Sequence, residues 1–290
     1  MSNLHEARDS GNSDQTFNPA SELDGLSDKQ RQEIEAKGRP SVALIHETIR
    51  AEGESELKRG WIALLLSGLA AGLSMSFSLV TQGELHALLP EGPAQTLIGH
   101  LGYTVGFLIV VLGRQQLFTE NTLTPILPLL HNRNLLTLWR VVRLWTLVLA
   151  ANVAGTWMFA AVAAHSSVFG PEAKQAFSEI SAHALSASFG TTLLRAVFAG
   201  WLIALMVWLL PGAEGSRPFI IVVINYVVSL AGFSHIVAGS VDCLFLVETG
   251  QTTWLGFIWA FFIPTLIGNI LGGVALVAVL NYGQVAQDIE

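Results

Sequence analysis

The sequence predicts an all-α membrane protein: six transmembrane helices in two inverted three-helix repeats, with spans two and five broken. Three observations carry that expectation. Of 290 residues, 51% are hydrophobic and only 13% charged, where a soluble domain carries about 25%. Six apolar runs reach the length, roughly 20 residues, that crosses about 30 Å of hydrocarbon. Two of those runs are interrupted by polar, glycine-containing linkers at matching places.

Charge places the first segment outside the bilayer. Residues 1–59 hold 12 of the 22 acids and 8 of the 15 bases. The opening stretch to about Asp28 is too polar to bury a core, so it reads as a disordered tail. After Gly38-Arg39-Pro40, Val42, Ile45, Ile49 and Leu57 alternate with His46, Glu47, Arg50 and Glu54. That spacing predicts an amphipathic helix over about 41–58, lying on the membrane surface. The expected organisation is a cytoplasmic tail over 1–58, a six-span unit over 59–282 and a short cytoplasmic C-terminal tail over 283–290. No early apolar core marks a cleaved signal peptide.

The unbroken spans are Trp61–Val80, Leu144–Ala164, Phe189–Leu210 and Trp254–Leu280. Span two runs Thr96–Gly113, breaks at Arg114-Gln115-Gln116-Leu117-Phe118-Thr119-Glu120-Asn121, and resumes over Leu123–Leu130. Span five runs Phe219–Leu230, breaks at Ala231–Ser240, and resumes over Val241–Val247. Twelve Lys and Arg fall in the N-tail and the second and fourth loops, against Lys174 alone on the other side. The positive-inside rule therefore puts both termini in the cytoplasm of a bacterial inner membrane.

Asn152-Val153-Ala154-Gly155 follows Thr119 by 33 residues, and Asn269-Ile270-Leu271-Gly272 follows His235 by 34. Spans one to three thus map onto four to six, and an odd number of spans per half inverts the second copy. Backbone freed from a helix within a membrane must be satisfied by protein or by a water-lined cavity. Paired broken helices accordingly point to a pore or carrier. His235 can donate, accept or take a proton, with Ser234 beside it, while Thr119 offers a hydroxyl next to Asn121. Arg114 with Glu120, and Arg195 with Asp242, are expected ion pairs, because a lone charge in a span costs about 3 kcal/mol or more. Glu248 is expected at the outer interface. Gly68, Gly72, Gly155, Gly268, Gly272 and Gly273 permit close helix packing.

Composition also excludes. A net charge of −7 argues against a nucleic-acid footprint. The single Cys243 excludes a disulfide framework and a cysteine-rich metal site. Neither a cofactor nor a metal is implied.

The Leu117-Phe118-Thr119 string, Gly232-Phe233-Ser234-His235 and the two Asn-x-x-Gly motifs, in this order over Ser55 to Tyr282, resemble the formate/nitrite transporter family. That resemblance implies an aquaporin-like protomer, a homopentamer with one pore per subunit, and passage of small monovalent anions with protons. It implies that Leu117 and Phe118 line an inner constriction, Thr119 and His235 meet the substrate, Tyr103 and Val228 lie near an outer constriction, and Asn152 and Asn269 stand behind the breaks. The chain departs from the family at Ser234 and Gln116, where acids are usual, at Arg114, where a small residue is usual, and at Ala184 and His183, where a lysine is usual.

Bare anions are opposed by apolar constrictions, so the expected mechanism is passage of a weak acid helped by His235. Rival readings are a neutral-solute channel of aquaporin type, a non-transporting scaffold or sensor, and an intramembrane serine protease. Asn18-Pro19-Ala20 spells the aquaporin signature, but in the polar tail and without a second copy. Adjacent Ser234 and His235 do not make a dyad from separate elements, so no enzyme is expected.

Overall fold

The computed structural model describes residues 40–278, and side-chain surroundings for residues 40–275. The expected tail before residue 40, Asn18-Pro19-Ala20, the end of the last span at Leu280 and the C-terminal tail lie outside the described residues. Every element among the described residues is helical.

Helix α1 (Val42–Lys58) starts where Ser41 Oγ accepts the Leu44 N–H at 3.2 Å, and it buries His46, Ile49, Gly53 and Leu57. Its inward stripe packs on protein, against the loop that follows the first break: a Cβ on Gly53 would meet the Thr124 carbonyl oxygen at 2.0 Å. Next come α2 (Trp61–Met75), α3 (Phe77–Leu88), α4 (Pro93–Leu112), α5 (Ile126–Asn132) and α6 (Leu135–His165). These are followed by α7 (Pro171–Leu185), α8 (Phe189–Leu209), α9 (Arg217–Leu230) and α10 (Ala238–Glu248). Helix α11 (Ile263–Ile270) is flanked by wider π turns over Phe257–Phe262 and Leu271–Ala278.

Among the described residues, five helices are long and apolar enough to cross a membrane: Trp61–Leu88, Pro93–Leu112, Leu135–His165, Phe189–Gly212 and Trp254–Ala275. The apolar helix Arg217–Leu230 is shorter. The first span is longer than hydropathy suggested, because Phe77–Leu88 continues it past a bend at Ser76, and the third starts nine residues earlier, capped by Asn134 on the Thr137 N–H at 2.8 Å. Helix α7 occupies what read as a loop. Its stripe of Ala173, Ala176 and Phe177 is buried, and Lys174 Nζ donates to the Ala164 and Ser166 carbonyls at 3.0 and 2.7 Å, closing the end of α6.

Two helix pairs set the frame, and each depends on a glycine. A Cβ on Gly72 of α2 would lie 2.2 Å from the Asn152 carbonyl oxygen of α6, and one on Gly200 of α8 would lie 2.4 Å from that of Asn269 in α11. Only glycine permits so close an approach of two helix backbones. Both contacts bring an asparagine inward at a fixed height, and the asparagines position the site.

Candidate functional site

The two breaks are built alike. Helix α4 ends with the Gln115 N–H on the Val110 carbonyl and the Arg114 N–H on that of Val111, with Arg114 left-handed at φ 51°. Helix α9 ends with the Phe233 N–H on Val228 and the Gly232 N–H on Ser229, with Gly232 at φ 64°. Both are the paired C-terminal hydrogen bonds of a Schellman cap. The released chain is then held by an asparagine. Asn152 Oδ1 accepts from the Phe118 N–H at 2.9 Å, and its Nδ2 donates to the Gln116 and Gly68 carbonyls at 2.9 and 2.8 Å. Asn269 Oδ1 accepts from the Ile236 N–H at 2.8 Å, and its Nδ2 donates to Ser234 and Ala196 at 2.9 and 2.8 Å. Backbone polar groups that lost their helix partners are thereby satisfied inside the protein. The residue embraced by each clamp is Leu117 in one break and His235 in the other. The hydrogen bonds thus match His235 with Leu117, two positions before the Thr119 that motif spacing suggested.

Thr119 and His235 nevertheless meet. Thr119 Oγ1 lies 2.7 Å from His235 Nε2, and His235 Nδ1 lies 3.2 Å from the Ala238 N–H. An N–H can only donate, so Nδ1 accepts; the neutral ring then carries its proton on Nε2 and donates it to Thr119. The threonine's own hydroxyl hydrogen is left for another acceptor. Phe107 packs edge-on to the imidazole at 4.9 Å, and Tyr103 packs on Phe107 at 5.3 Å.

Cavities lie on either side of this contact. One, of about 540 Å³, is lined by α1, the ends of α4 and α8 and the start of α9, and reaches Gln116 and Glu120. The other, of about 510 Å³, is lined by the start of α4, by α7 and α8 and by the end of α9, and reaches Ser234 and His235. Since α4 and α9 each give opposite ends to the two cavities, these open toward opposite ends of the bundle. Phe107, Val110 and Val228 lie between, wholly buried.

Several predicted residues sit elsewhere than expected. Arg114 does not pair with Glu120: its guanidinium reaches Glu52 of α1 at 3.1 Å, because the left-handed turn aims it back at the N-terminal helix. Arg195 and Asp242 share the second cavity but make no ion pair there. Leu117 and Phe118 line neither cavity; both are buried, and Phe118 packs edge-on to Trp145 at 6.0 Å. Tyr103 does line the second cavity, whereas Val228 is wholly buried and contributes its carbonyl to the α9 cap. Glu248 accepts from Trp157 Nε1 at 2.8 Å and meets His165 Nε2 at 2.9 Å. Sequence reasoning missed Ser67, whose Oγ accepts the Gln116 N–H at 3.0 Å, and Glu56, which takes hydrogen bonds from Thr124 Oγ1 and from Gln116 Nε2. A lone serine in an apolar span and a glutamate on a surface-type helix carry no signal of their own.

A multi-pass helical bundle in which two clamped breaks meet between two oppositely opening cavities is the frame of a membrane channel or transporter. Comparison with known proteins gives the family. The formate/nitrite transporter profile matches residues 43–283, and the chain is 40% identical over 259 residues to the inner membrane protein YfdC of Escherichia coli K12, covering 89% of this chain and 84% of that one. The chain belongs to the formate/nitrite transporter family, whose members are transport proteins and not enzymes. It is also 26% identical to the formate channel BtFdhC of Bacillus thuringiensis, over 80% of this chain and 91% of that one. Among solved structures, a pentameric formate channel with formate bound matches with a TM-score of 0.66 at 19% identity, over 78% of this chain and 98% of that one. An FNT family ion channel matches at 0.74 and 15%, over 83% and 98%. At those identities the likeness is one of fold.

Proposed function

We propose that this protein carries small monovalent weak-acid anions of the formate and nitrite kind across a bacterial inner membrane, as a homopentamer with a pore in each subunit. In this reading Arg217–Leu230 and Ala238–Glu248 together make a further crossing, so that six spans form two inverted halves, and both termini face the cytoplasm. The names of the relatives support the substrate class and the membrane, and the pentameric neighbour supports the assembly.

The observation that carries the reading is the Thr119–His235 contact between the two cavities. Stripping water from a bare anion among Phe107, Val110 and Val228 is costly, and a hydrogen bond from Thr119 offsets part of that cost. Protonating the ring at Nδ1 displaces the Ala238 N–H. Thr119 passes its hydroxyl proton to the anion as it takes the Nε2 proton of the imidazolium, and the anion leaves as a neutral acid; the ring, left with its proton on Nδ1, is reset when Nδ1 gives that proton up to regain the Ala238 bond and Nε2 takes one from cavity water.

Purified protein in liposomes, challenged with formate, nitrite and hydrosulfide across a pH step, tests this. Uptake should rise as external pH falls, and His235→Ala should flatten that response. A pH response unchanged in His235→Ala would remove the histidine from the mechanism, and no anion flux in the wild type would remove the anion reading. Water or glycerol flux in its place would favour a neutral-solute channel.

A further inference from the structure

The two breaks differ at one matched pair of positions. In the first, the Gln116 N–H is held by Ser67 Oγ, and Ser67 precedes Gly68, whose carbonyl is bound by Asn152. In the second, the residue preceding Ala196, whose carbonyl is bound by Asn269, is Arg195, and the matching N–H is that of Ser234. A guanidinium has five donors and no acceptor, so Arg195 cannot do for Ser234 what Ser67 does for Gln116. Among the described residues the Ser234 N–H and hydroxyl donate to nothing, and the Arg195 guanidinium has no hydrogen bond or ion pair. Arg195, Ser234 and His235 line one cavity, and Arg195 is the sole Lys or Arg on its described wall.

Unpaired arginine within a membrane span is expensive and marks a functional group by default. Here it shares the wall of the cavity of about 510 Å³ with the free donors of Ser234. We infer that Arg195 and Ser234 form an anion-docking site for a small planar monovalent oxyanion, the guanidinium fork taking two oxygens and the Ser234 N–H or hydroxyl taking one of them. The inference rests on the anion reading above and names the groups that recognise the permeant before it reaches His235. The fork matches a two-oxygen anion such as formate or nitrite and has no second partner for hydrosulfide. Asp242 lines the same cavity and carries the same two-oxygen group, so it competes with the permeant for the fork. The other acid on that wall, Glu179, is already engaged by Gln175 and His86 at 2.8 and 3.3 Å.

The test is KM for formate, nitrite and hydrosulfide in liposomes holding the full-length protein, with assembly checked by size-exclusion chromatography. Arg195→Gln should raise KM for formate and nitrite about tenfold or more, the worth of a charge-assisted hydrogen bond, and leave hydrosulfide nearly unchanged. Arg195→Lys, which keeps the charge but not the fork, should lower the preference for formate over hydrosulfide, and Asp242→Asn should lower KM for formate. Wild-type KM values in assembled Arg195→Lys and Ser234→Ala overturn the inference while leaving anion conduction standing. Recovery of Arg195→Gln by Asp242→Asn overturns it too, in favour of a structural charge pair. A wild type that moves none of the three anions overturns both readings.

Discussion

The first break and the second share a scaffold and differ in chemistry. Each has a helix cap, an asparagine with three hydrogen bonds and a glycine that lets that asparagine approach. Yet the embraced residue is apolar Leu117 in one and His235 in the other, the capping residue is Arg114 against Gly232, and the preceding residue is Gln116, fully engaged, against Ser234, with its donors free. The first break is also covered by α1, through Glu52, Gly53 and Glu56. What repeats is what holds released backbone; what differs is what a solute can meet. In the proposed reading one half supports and the other recognises.

If the clamps are equivalent, removing either should be equally damaging. Asn152→Ala and Asn269→Ala each delete three hydrogen bonds, all buried but the half-buried one from Asn269 to Ser234, and strand their partners, an expected loss of about 3 kcal/mol or more. Thermal unfolding of the detergent-solubilised protein reads it. A large loss in one variant and a negligible loss in the other would break the equivalence.

The glycines come next. Alanine at Gly72 or Gly200 puts a methyl against a helix carbonyl, and overpacking of this kind costs about 1–3 kcal/mol. Gly72→Ala and Gly200→Ala should lower the unfolding midpoint alike. In Gly200→Ala anion flux should fall as well, because Asn269 positions the backbone on both sides of His235. Equal flux losses in the two variants would erase the division between a supporting half and a recognising half.

Much of this frame was legible in the sequence. Interrupted hydropathy located both breaks, and the Asn-x-x-Gly pairs named the clamps, since an amide buried among apolar residues needs partners. Thr119 and His235 stood out because each lies in a polar interruption of an apolar run. Partnerships were not legible where they depend on direction. Arg114 is close to Glu120 in sequence, but a left-handed residue sends it to Glu52. Leu117 and Phe118 are on the right loop, but that Phe118 packs against Trp145 is not written in any local pattern. Glu56 pairs with Thr124 across 68 residues, and no local pattern encodes that contact. Helix α7 was hidden because its small alanine stripe has little hydropathy of its own.

The caps offer a smaller difference. A left-handed residue other than glycine costs roughly 1 kcal/mol, and Arg114 bears this strain while Gly232 does not. Arg114→Gly relieves it and forfeits an ion pair with Glu52 that is largely exposed, where such pairs contribute about 0–1 kcal/mol. Arg114→Gly should thus be near neutral or slightly stabilising, and Gly232→Ala destabilising by about 1 kcal/mol. Chemical denaturation in detergent distinguishes the two, and a strongly destabilised Arg114→Gly would show that the contact with α1 outweighs backbone strain.

The smallest expected effect isolates the cover over the first break. Burial of the Glu56 carboxyl raises its pKa to about 7, more than the hydrogen bonds from Thr124 and Gln116 lower it; the charge of Glu52 adds to the rise and that of Arg59 opposes it. Glu120 also lines this cavity. The folded value lies above the ordinary 4.5, so the group's contribution to docking of α1 is complete below that ordinary value and is lost as pH rises through about 7. Hydrogen-exchange protection at Ser55–Lys58, corrected for the intrinsic pH dependence, should therefore fall modestly as pH rises from the ordinary 4.5 to about 7 and stay level above that. Glu56→Gln should remove the fall. The amides of Ile236–Ser240, which lie in the break that α1 does not cover, should keep one protection level throughout. A pH-dependent loss of the same size in both breaks, or an unchanged loss in Glu56→Gln, would assign the effect to the whole bundle and not to this carboxyl.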